Sequence, residues 1–317
     1  MINSITDCKE KICMRNPVRV IARLDIKGPN LIKGIQFDGY RVLGSPEDFA
    51  ETYYQEGIDE IVYQDSVASL YERNSLADFV KKTASKIFIP LTVAGGLRTI
   101  DDIRAILRAG ADKVAINTAA VKDPNLLKQA SEVFGSQCIV ASIEAYRYAD
   151  DSYQIWTDYG RQETGIDAIE WAQQVVALGV GEIMLTSINK EGTGRGFDIE
   201  LTSQIAQAVP VPVIAIGGAG TSADVVEVVL DGCADAVGVA SVFHYHYSKP
   251  VQKMTMTFDE KRLRMGDDVD AGNIDFLNFG YGGYRAIPVT PASIADVKDA
   301  MSTAGIPTRK ISDLQRA

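Results

Sequence analysis

Two short stretches carry the residues best suited to chemistry. "RVIARLDIKG" (residues 19–28) and "CIVASIEAYR" (residues 138–147) each read as an apolar strand ending on a carboxylate. The acids are Asp25 and Glu144, 119 residues apart. Two carboxylates at equivalent strand ends can act as general acid and general base on opposite sides of one substrate. Other chemistries have few residues to work with. The only histidines, His244 and His246, share the stretch "FHYHYSK". A three-histidine metal site is excluded, and no thiol-activating motif lies near them. Without a third ligand, the pair is expected at a surface or strand end and not on a metal. If the chain is an enzyme, carboxylates must do its proton transfers. The four cysteines, Cys8, Cys13, Cys138 and Cys233, form no CxxC pair and are expected to be reduced thiols.

A longer repeat surrounds the acids. "IPLTVAGGLRTIDDIRAILRAGADKVAINTAAV" (residues 89–121) and "VPVIAIGGAGTSADVVEVVLDGCADAVGVASVF" (residues 211–243) share a proline, an apolar strand, a GG turn, a helix, A-D-x-V and a small polar pair. The two GG pairs are 122 residues apart, close to the spacing of the acids. The chain therefore reads as two halves of the same plan. Each half supplies one anion cradle: Gly95 and Gly96 with Asn117 and Thr118, and Gly217 and Gly218 with Ala240 and Ser241. Glycines let backbone N–H groups approach an anion, and small side chains at a helix start complete the site. Two cradles imply a ligand with a phosphate at each end and its reactive middle under the two acids. One GG turn alone would mean little.

The elements that must hold these residues alternate in type. Strands are predicted over Val18–Leu24, Glu60–Tyr63, Ile89–Val93, Lys113–Ile116, Ile139–Ile143, Glu182–Leu185, Val213–Ile216 and Ala236–Val239. Helices are predicted over Pro46–Gln55, Thr99–Ala109, Asn125–Val133, Asp167–Ala177, Ile199–Ala208 and Ser222–Leu230. Near-continuous apolar strands alternating with helices mean an α/β fold with a covered parallel sheet. Eight units fit a (β/α)8 TIM barrel with a twofold half-barrel repeat, whose chemistry lies at the C-terminal mouth. A doubly wound open sheet is the rival, but no G-x-G-x-x-G follows the first strand. At the opposite end, Arg19, Glu60, Lys113 and Glu182 each open a strand, and together they can form one ion-paired ring on the barrel floor.

The 317 residues are expected to form one barrel domain, with an N-terminal extension over 1–17 and an insertion over 248–290 between the eighth strand and the last helix. A net charge of −10 argues against binding nucleic acid or an anionic membrane through a broad basic surface. No apolar run is long enough to cross a membrane, and the N-terminus shows no signal-peptide core, so a cytoplasmic location is expected.

The ordered runs "LDIKGPNLIKG", "GSPEDFAETYYQEGIDEIV", "IPLTVAGGLR", "GADKVAINTAAV", "FGSQCIV", "TGIDAIEWA", "GEIMLTSINKEGT", "PVIAIGGAG" and "ASVFH" resemble the cyclase subunit of imidazole glycerol phosphate synthase. The resemblance covers Val18 to Val242 plus a final helix near Ala292–Ala304. The sister phosphoribosyl isomerase barrel shares the twofold design but lacks "GSQ", "GEIMLTS" and "ASVFHY". The resemblance implies a reaction. Ammonia from a glutaminase docked at the N-terminal barrel face is added to the bis-phosphate N'-phosphoribulosyl-formimino-aminoimidazole carboxamide ribotide. The products are imidazole glycerol phosphate and aminoimidazole carboxamide ribotide. It also implies Asp25 and Glu144 as acid and base, with no cofactor and no metal. Lys33, in the first βα loop, is expected to fold over the ligand, with Thr186 and Gly192 joining the two cradles around it. The floor ring becomes an ammonia gate in place of a plain salt-bridge layer.

The chain departs from the family pattern near the mouth. Glu144 and Glu191 stand where the family has Asp, Arg23 where it has Cys, and Tyr146 where it has Lys. Ala94 replaces the first Gly of a GGG, and Ile216 replaces a Ser. By strand alternation Arg23 points into the barrel and needs a carboxylate partner, with Asp25, Glu144 and Asp65 as candidates. The stretch "YRYADDSYQIWTDYG" reads as a hairpin turning near Asp150 and Asp151. Two further readings stay open. One is a paralogue that docks a glutaminase and channels ammonia for amidation of a surface-polysaccharide sugar, with a further partner at the insertion. The other is a non-catalytic barrel scaffold.

Overall fold

The computed structural model describes residues 17–66, 76–248 and 288–309. The N-terminal extension and the insertion therefore lie almost wholly outside the described residues. Among the described residues the strands are β1 (Arg19–Lys27), β2 (Asn30–Ile35), β3 (Asp38–Gly44), β4 (Glu60–Asp65), β5 (Leu91–Ala94), β6 (Lys113–Ile116), β7 (Ile139–Arg147), β8 (Tyr153–Thr157), β9 (Gln162–Asp167), β10 (Glu182–Ser187), β11 (Val213–Ile216) and β12 (Ala236–Val239). The helices are α1 (Pro46–Gln55), α2 (Leu76–Ala84), α3 (Ile100–Ala109), α4 (Thr118–Lys122), α5 (Asn125–Phe134), α6 (Ala168–Ala177), α7 (Ile199–Ala208), α8 (Ser222–Leu230), α9 (Ser241–Tyr247) and α10 (Ile294–Thr303).

Eight parallel strands run in the order β1, β4, β5, β6, β7, β10, β11, β12, and β12 pairs back onto β1. The expected closed barrel is borne out. Strand alternation sorts its side chains. On β1, Val20, Ala22, Leu24 and Ile26 pack outward against the helices, while Ile21 joins an interior cluster with Val62, Ala94, Ala115, Val140, Met184, Ile214, Ile216 and Ala236. The half-barrel repeat reaches the helix starts. The helix after each GG strand, α3 or α8, opens with a threonine capping box, Thr99 with Asp102 and Thr221 with Asp224. Such a cap stabilises a helix by about 1 kcal/mol.

Both acid-bearing strands run past their predicted ends. β1 continues to Lys27 because its end pairs antiparallel with β2, placing Asp25 opposite Ile32. β7 continues to Arg147 because it pairs with β8, placing Glu144 opposite Trp156. β5 starts late, at Leu91, since Pro90 has no N–H to give a ladder. The expected turn at Asp150 and Asp151 is present, with Tyr148 N accepted by Ser152 O at 2.9 Å. A second turn at 158–161 then makes β7, β8 and β9 a three-stranded meander.

Two expectations are corrected. His244 is not at a surface: it is fully buried on α9, its ring stacked on Tyr53 with Nδ1 2.6 Å from the Tyr53 hydroxyl. Burial and the nearby Lys33 charge lower its pKa to about 3, so it is a neutral core group. The helix period turns it inward. Cys233 is disulfide-bonded, whereas Cys138 is free. Its nearest cysteine in sequence is Cys138, so no local spacing signals the bond.

The last helix fastens the barrel base. Lys298 of α10 donates to Asp59 Oδ1 at 2.6 Å and to Gly57 O at 2.7 Å, and Asp59 Oδ2 accepts the Val20 amide at 2.8 Å. Both side chains are buried. Lys298→Met should leave Asp59 buried without a counter-charge and destabilise the chain by about 3 kcal/mol, read as a lower urea midpoint.

Candidate active site at the barrel mouth

The inward column of β1 rises from Arg19 through Ile21 and Arg23 to Asp25. Arg23 Nε donates to Asp25 Oδ1 at 2.9 Å, with both side chains nearly inaccessible. Of the three candidate partners it engages Asp25. Its Nη1 donates to Thr186 Oγ1 on β10 at 3.2 Å. The rings of Phe37 and Tyr159 lie 5.8 and 6.0 Å from its guanidinium carbon. Burial alone would lower the Arg23 pKa. Asp25, then Tyr159, Glu191 and Glu144 outweigh it and raise the pKa.

Glu144 is placed differently. It is 3% exposed, and its Oε2 accepts the Gly160 amide at 2.8 Å. Burial raises its pKa to about 7, opposed by Arg23 and the Gly160 amide and reinforced by Asp25 and Asp158. Asp25 and Glu144 thus meet at the mouth within one electrostatic neighbourhood, and Arg23 acts on both.

Two hairpin tips close over this point. Gln36 and Phe37, between β2 and β3, and Asp158 and Tyr159, between β8 and β9, all have left-handed backbones. Phe37 and Tyr159 pack in a tilted contact with ring centroids 4.2 Å apart. A side chain at Gly160 would run into the Phe37 ring. The Gln36 amide donates to Glu191 O at 2.9 Å, which ties the first tip to the loop after β10.

Beside Glu144 lies a cavity of about 250 Å³. Glu144, Gly95, Gly96, Asn117 and Thr118 line it, so the first cradle opens toward Glu144. Asn117 Nδ2 donates to Trp156 O at 3.2 Å, and Thr118 Oγ1 accepts the Asp158 amide at 2.9 Å. In the second cradle, Gly217 and Gly218 are buried with φ of 94° and 110°. A side chain at Gly218 would collide with the Gly196 carbonyl, whose residue donates its amide to Gly218 O at 2.9 Å. Ala240 precedes α9, and Ser241 opens it. Thr186 faces Arg23, and Gly192 sits against Gly34 and Ile35 of β2. Among the described residues, no three His, Cys, Asp or Glu side chains gather to hold a metal, and no helix is long and apolar enough to cross a membrane.

At the floor, the four charged strand starts form one closed ring. Arg19 bonds Glu60 at 2.6 Å and Glu182 at 2.8 Å, while Lys113 bonds Glu60 at 3.1 Å and Glu182 at 2.9 Å. Thr92 Oγ1 adds a 2.7 Å bond to Glu60.

The histidine biosynthesis protein family matches residues 19–249. The HisF subunit of imidazole glycerol phosphate synthase from Legionella pneumophila is 55% identical over 203 residues, 64% of this chain and 96% of the relative. The HisF subunit from Methanocaldococcus jannaschii is 48% identical over 246 residues, 72% of this chain and 90% of the relative. The subunit from Bacillus cereus strain G9842 is 47% identical over 227 residues, with the same two shares. The chain belongs to the HisF family.

Within this HisF-family barrel, sequence reasoning missed several groups at the mouth. Lys33, expected in the first βα loop, lies on β2 of the hairpin that forms that connection, buried, with Nζ 2.6 Å from Glu191 Oε1. Burial opposes the Lys33 charge, but Glu191 and then Asp25 raise its pKa. Phe37, Tyr159 and Gly160 carried no signal in the spacing of the acids. The "TDYG" turn was the only pointer to the second tip.

The raised pKa of Glu144 has a stability consequence. Its ordinary value is 4.5 and its folded value about 7. The folded chain binds the extra proton in that window, so this contribution is present below pH 4.5 and lost as pH rises through 7. The loss is about 3 kcal/mol. Glu144→Gln should therefore match the wild type in stability at pH 4 and exceed it by up to about 3 kcal/mol at pH 8, measured by urea unfolding at both pH values.

Proposed function

We propose that this HisF-family chain is the ammonia-dependent cyclase and lyase subunit of imidazole glycerol phosphate synthase. It takes ammonia from a glutaminase partner and a bis-phosphate ribulosyl-formimino substrate. It releases imidazole glycerol phosphate and aminoimidazole carboxamide ribotide. The observation that carries the reading is the pair of buried carboxylates, Asp25 and Glu144, at equivalent strand ends of a half-barrel repeat that also supplies two glycine cradles. Ring closure and C–N cleavage both require protons to move on two sides of one substrate. The cradle of Gly95, Gly96, Asn117 and Thr118 takes one phosphate, and that of Gly217, Gly218, Ala240 and Ser241 takes the other. Backbone amides freed by glycine can hold an anion without an added cation. Lys33, Thr186 and Gly192 complete the substrate site around them.

The glutaminase docks on the floor face in this reading, and ammonia passes the ring of Arg19, Glu60, Lys113 and Glu182. Two observations support that. The interior above the ring is apolar, with Ala94, Ala115 and Ala236 among its lining. Phe88, before β5 on the floor side, is 81% exposed, and Val133, near the floor end of α5, is 55% exposed. Exposed large apolar side chains next to a functional opening suit a partner surface.

The first test is turnover of the bis-phosphate with ammonium salt at high pH. Asp25→Asn should reduce kcat by at least about 100-fold and leave ligand binding in place. Absence of turnover in the unsubstituted chain would overturn the assignment. Phe88→Asp should reduce glutamine-dependent turnover in the presence of the glutaminase about tenfold or more and leave ammonium-dependent turnover unchanged.

A further inference from the structure

Arg23 is an interior cation for which the proposed reaction supplies no role. Its placement is specific. It sits one inward step below Asp25 on β1, contacts Thr186 across the barrel on β10, and lies beneath the Phe37 and Tyr159 rings. It treats the two acids unequally. Asp25 is bonded directly to its guanidinium, and the pair is shut away from water. Glu144 accepts one backbone amide, from Gly160, and no cation contacts it among the described residues.

We infer that Arg23 is a positioning residue that sets the two carboxylates apart: it holds Asp25 by direct contact and acts on Glu144 only through space. The 2.9 Å contact fixes the Asp25 side chain on the β1 wall, and the Thr186 hydroxyl that Arg23 also reaches belongs to the residue paired with Glu144 across β7 and β10. The groups facing this pair come from every surrounding element. Asp25 meets Arg23 on its own strand, the Lys33 charge from β2 and Tyr159 from the second hairpin tip. Glu144 feels Arg23, Asp25, the Gly160 amide and Asp158. Arg23 thus acts on both acids, by contact with Asp25 and through space on Glu144.

The inference rests on the cyclase reading for its catalytic meaning, but its electrostatic part is testable without turnover. Infrared difference spectra of the ligand-free chain would follow the Glu144 carboxyl, identified by its loss in Glu144→Gln. In Arg23→Gln, which removes the charge and keeps donors, this band should titrate about one pH unit or more higher than in the unsubstituted chain. Arg23→Lys should bring it back to within about half a unit. In the ammonium-dependent assay at fixed free ammonia, the basic limb of kcat/KM should move the same way, and kcat should fall about tenfold or more in Arg23→Gln. Superimposable titrations of Arg23→Gln and the unsubstituted chain would overturn the inference, as would an Arg23→Lys variant that behaves like Arg23→Gln. If circular dichroism shows Arg23→Gln unfolded, Arg23→Lys carries the test alone: agreement with the unsubstituted titration supports the role, and a displacement above one unit overturns it. A carboxyl band that shifts as expected in a chain without bis-phosphate turnover would uphold Arg23 and refute the cyclase reading.

Discussion

An ionised side chain inside a barrel loses its hydration, at a cost of several kcal/mol, unless an opposite charge sits against it. That constraint organises the interior from floor to mouth. Arg19 and Lys113 alternate with Glu60 and Glu182 in the floor ring. Higher up, Arg23 pairs with Asp25, and Lys33 with Glu191. Glu144 has no such partner in contact and meets the constraint the other way, by holding a proton to near neutral pH. Glu144 is thereby the mouth acid whose proton affinity is raised. Its environment, more than its residue type, sets that affinity.

The half-barrel repeat explains why the mouth can be closed from two sides. Each acid-bearing strand leaves the barrel as the first strand of an antiparallel extension, β1 into β2 and β7 into β8. These extensions are equivalent products of the two halves, and their tips meet as Phe37 on Tyr159. The halves are not equal in detail. The first cradle faces the cavity beside Glu144. The second is built on buried glycines pressed against the Gly194–Gly196 loop, and the amide of Thr290 donates to Gly220 O at 2.7 Å beside it. Glycine there serves close backbone approach.

Much of this was legible in the sequence because it depends on short-range periodicity. A period of two placed Arg23 inward beside Asp25, and the spacing of four charges at strand starts anticipated the floor ring. The eight barrel strands followed from apolar runs between helices. What the sequence hid was decided across the barrel. Arg23 had three possible partners, and only the closed geometry selects Asp25. The β2–β3 tip turns on Gln36 and Phe37, whose left-handed backbones have φ of 47° and 63° without the glycine or asparagine that marks such turns. Contacts to Glu191 and Tyr159 hold that turn, and these lie more than a hundred residues away. His244 was misplaced for a similar reason, since its aromatic neighbours on α1 are remote in sequence.

The extra methylene of Glu144, relative to the aspartate that the family pattern expects, has a specific use here. Glu144 reaches the Gly160 amide, in the second hairpin tip, at 2.8 Å. That amide favours the ionised form, so loss of the Glu144 proton strengthens its bond to the tip, and gain of the proton weakens it. The same tip carries Tyr159, which packs on Phe37 above Arg23. The charge on Glu144 and the packing over the mouth are therefore coupled through one hydrogen bond. A shorter aspartate at this position would stop about 1 Å away, enough to weaken a contact this distance-dependent. The substitution thus moves the second acid from the barrel wall onto the element that covers the site, while Arg23 keeps the first acid on the wall.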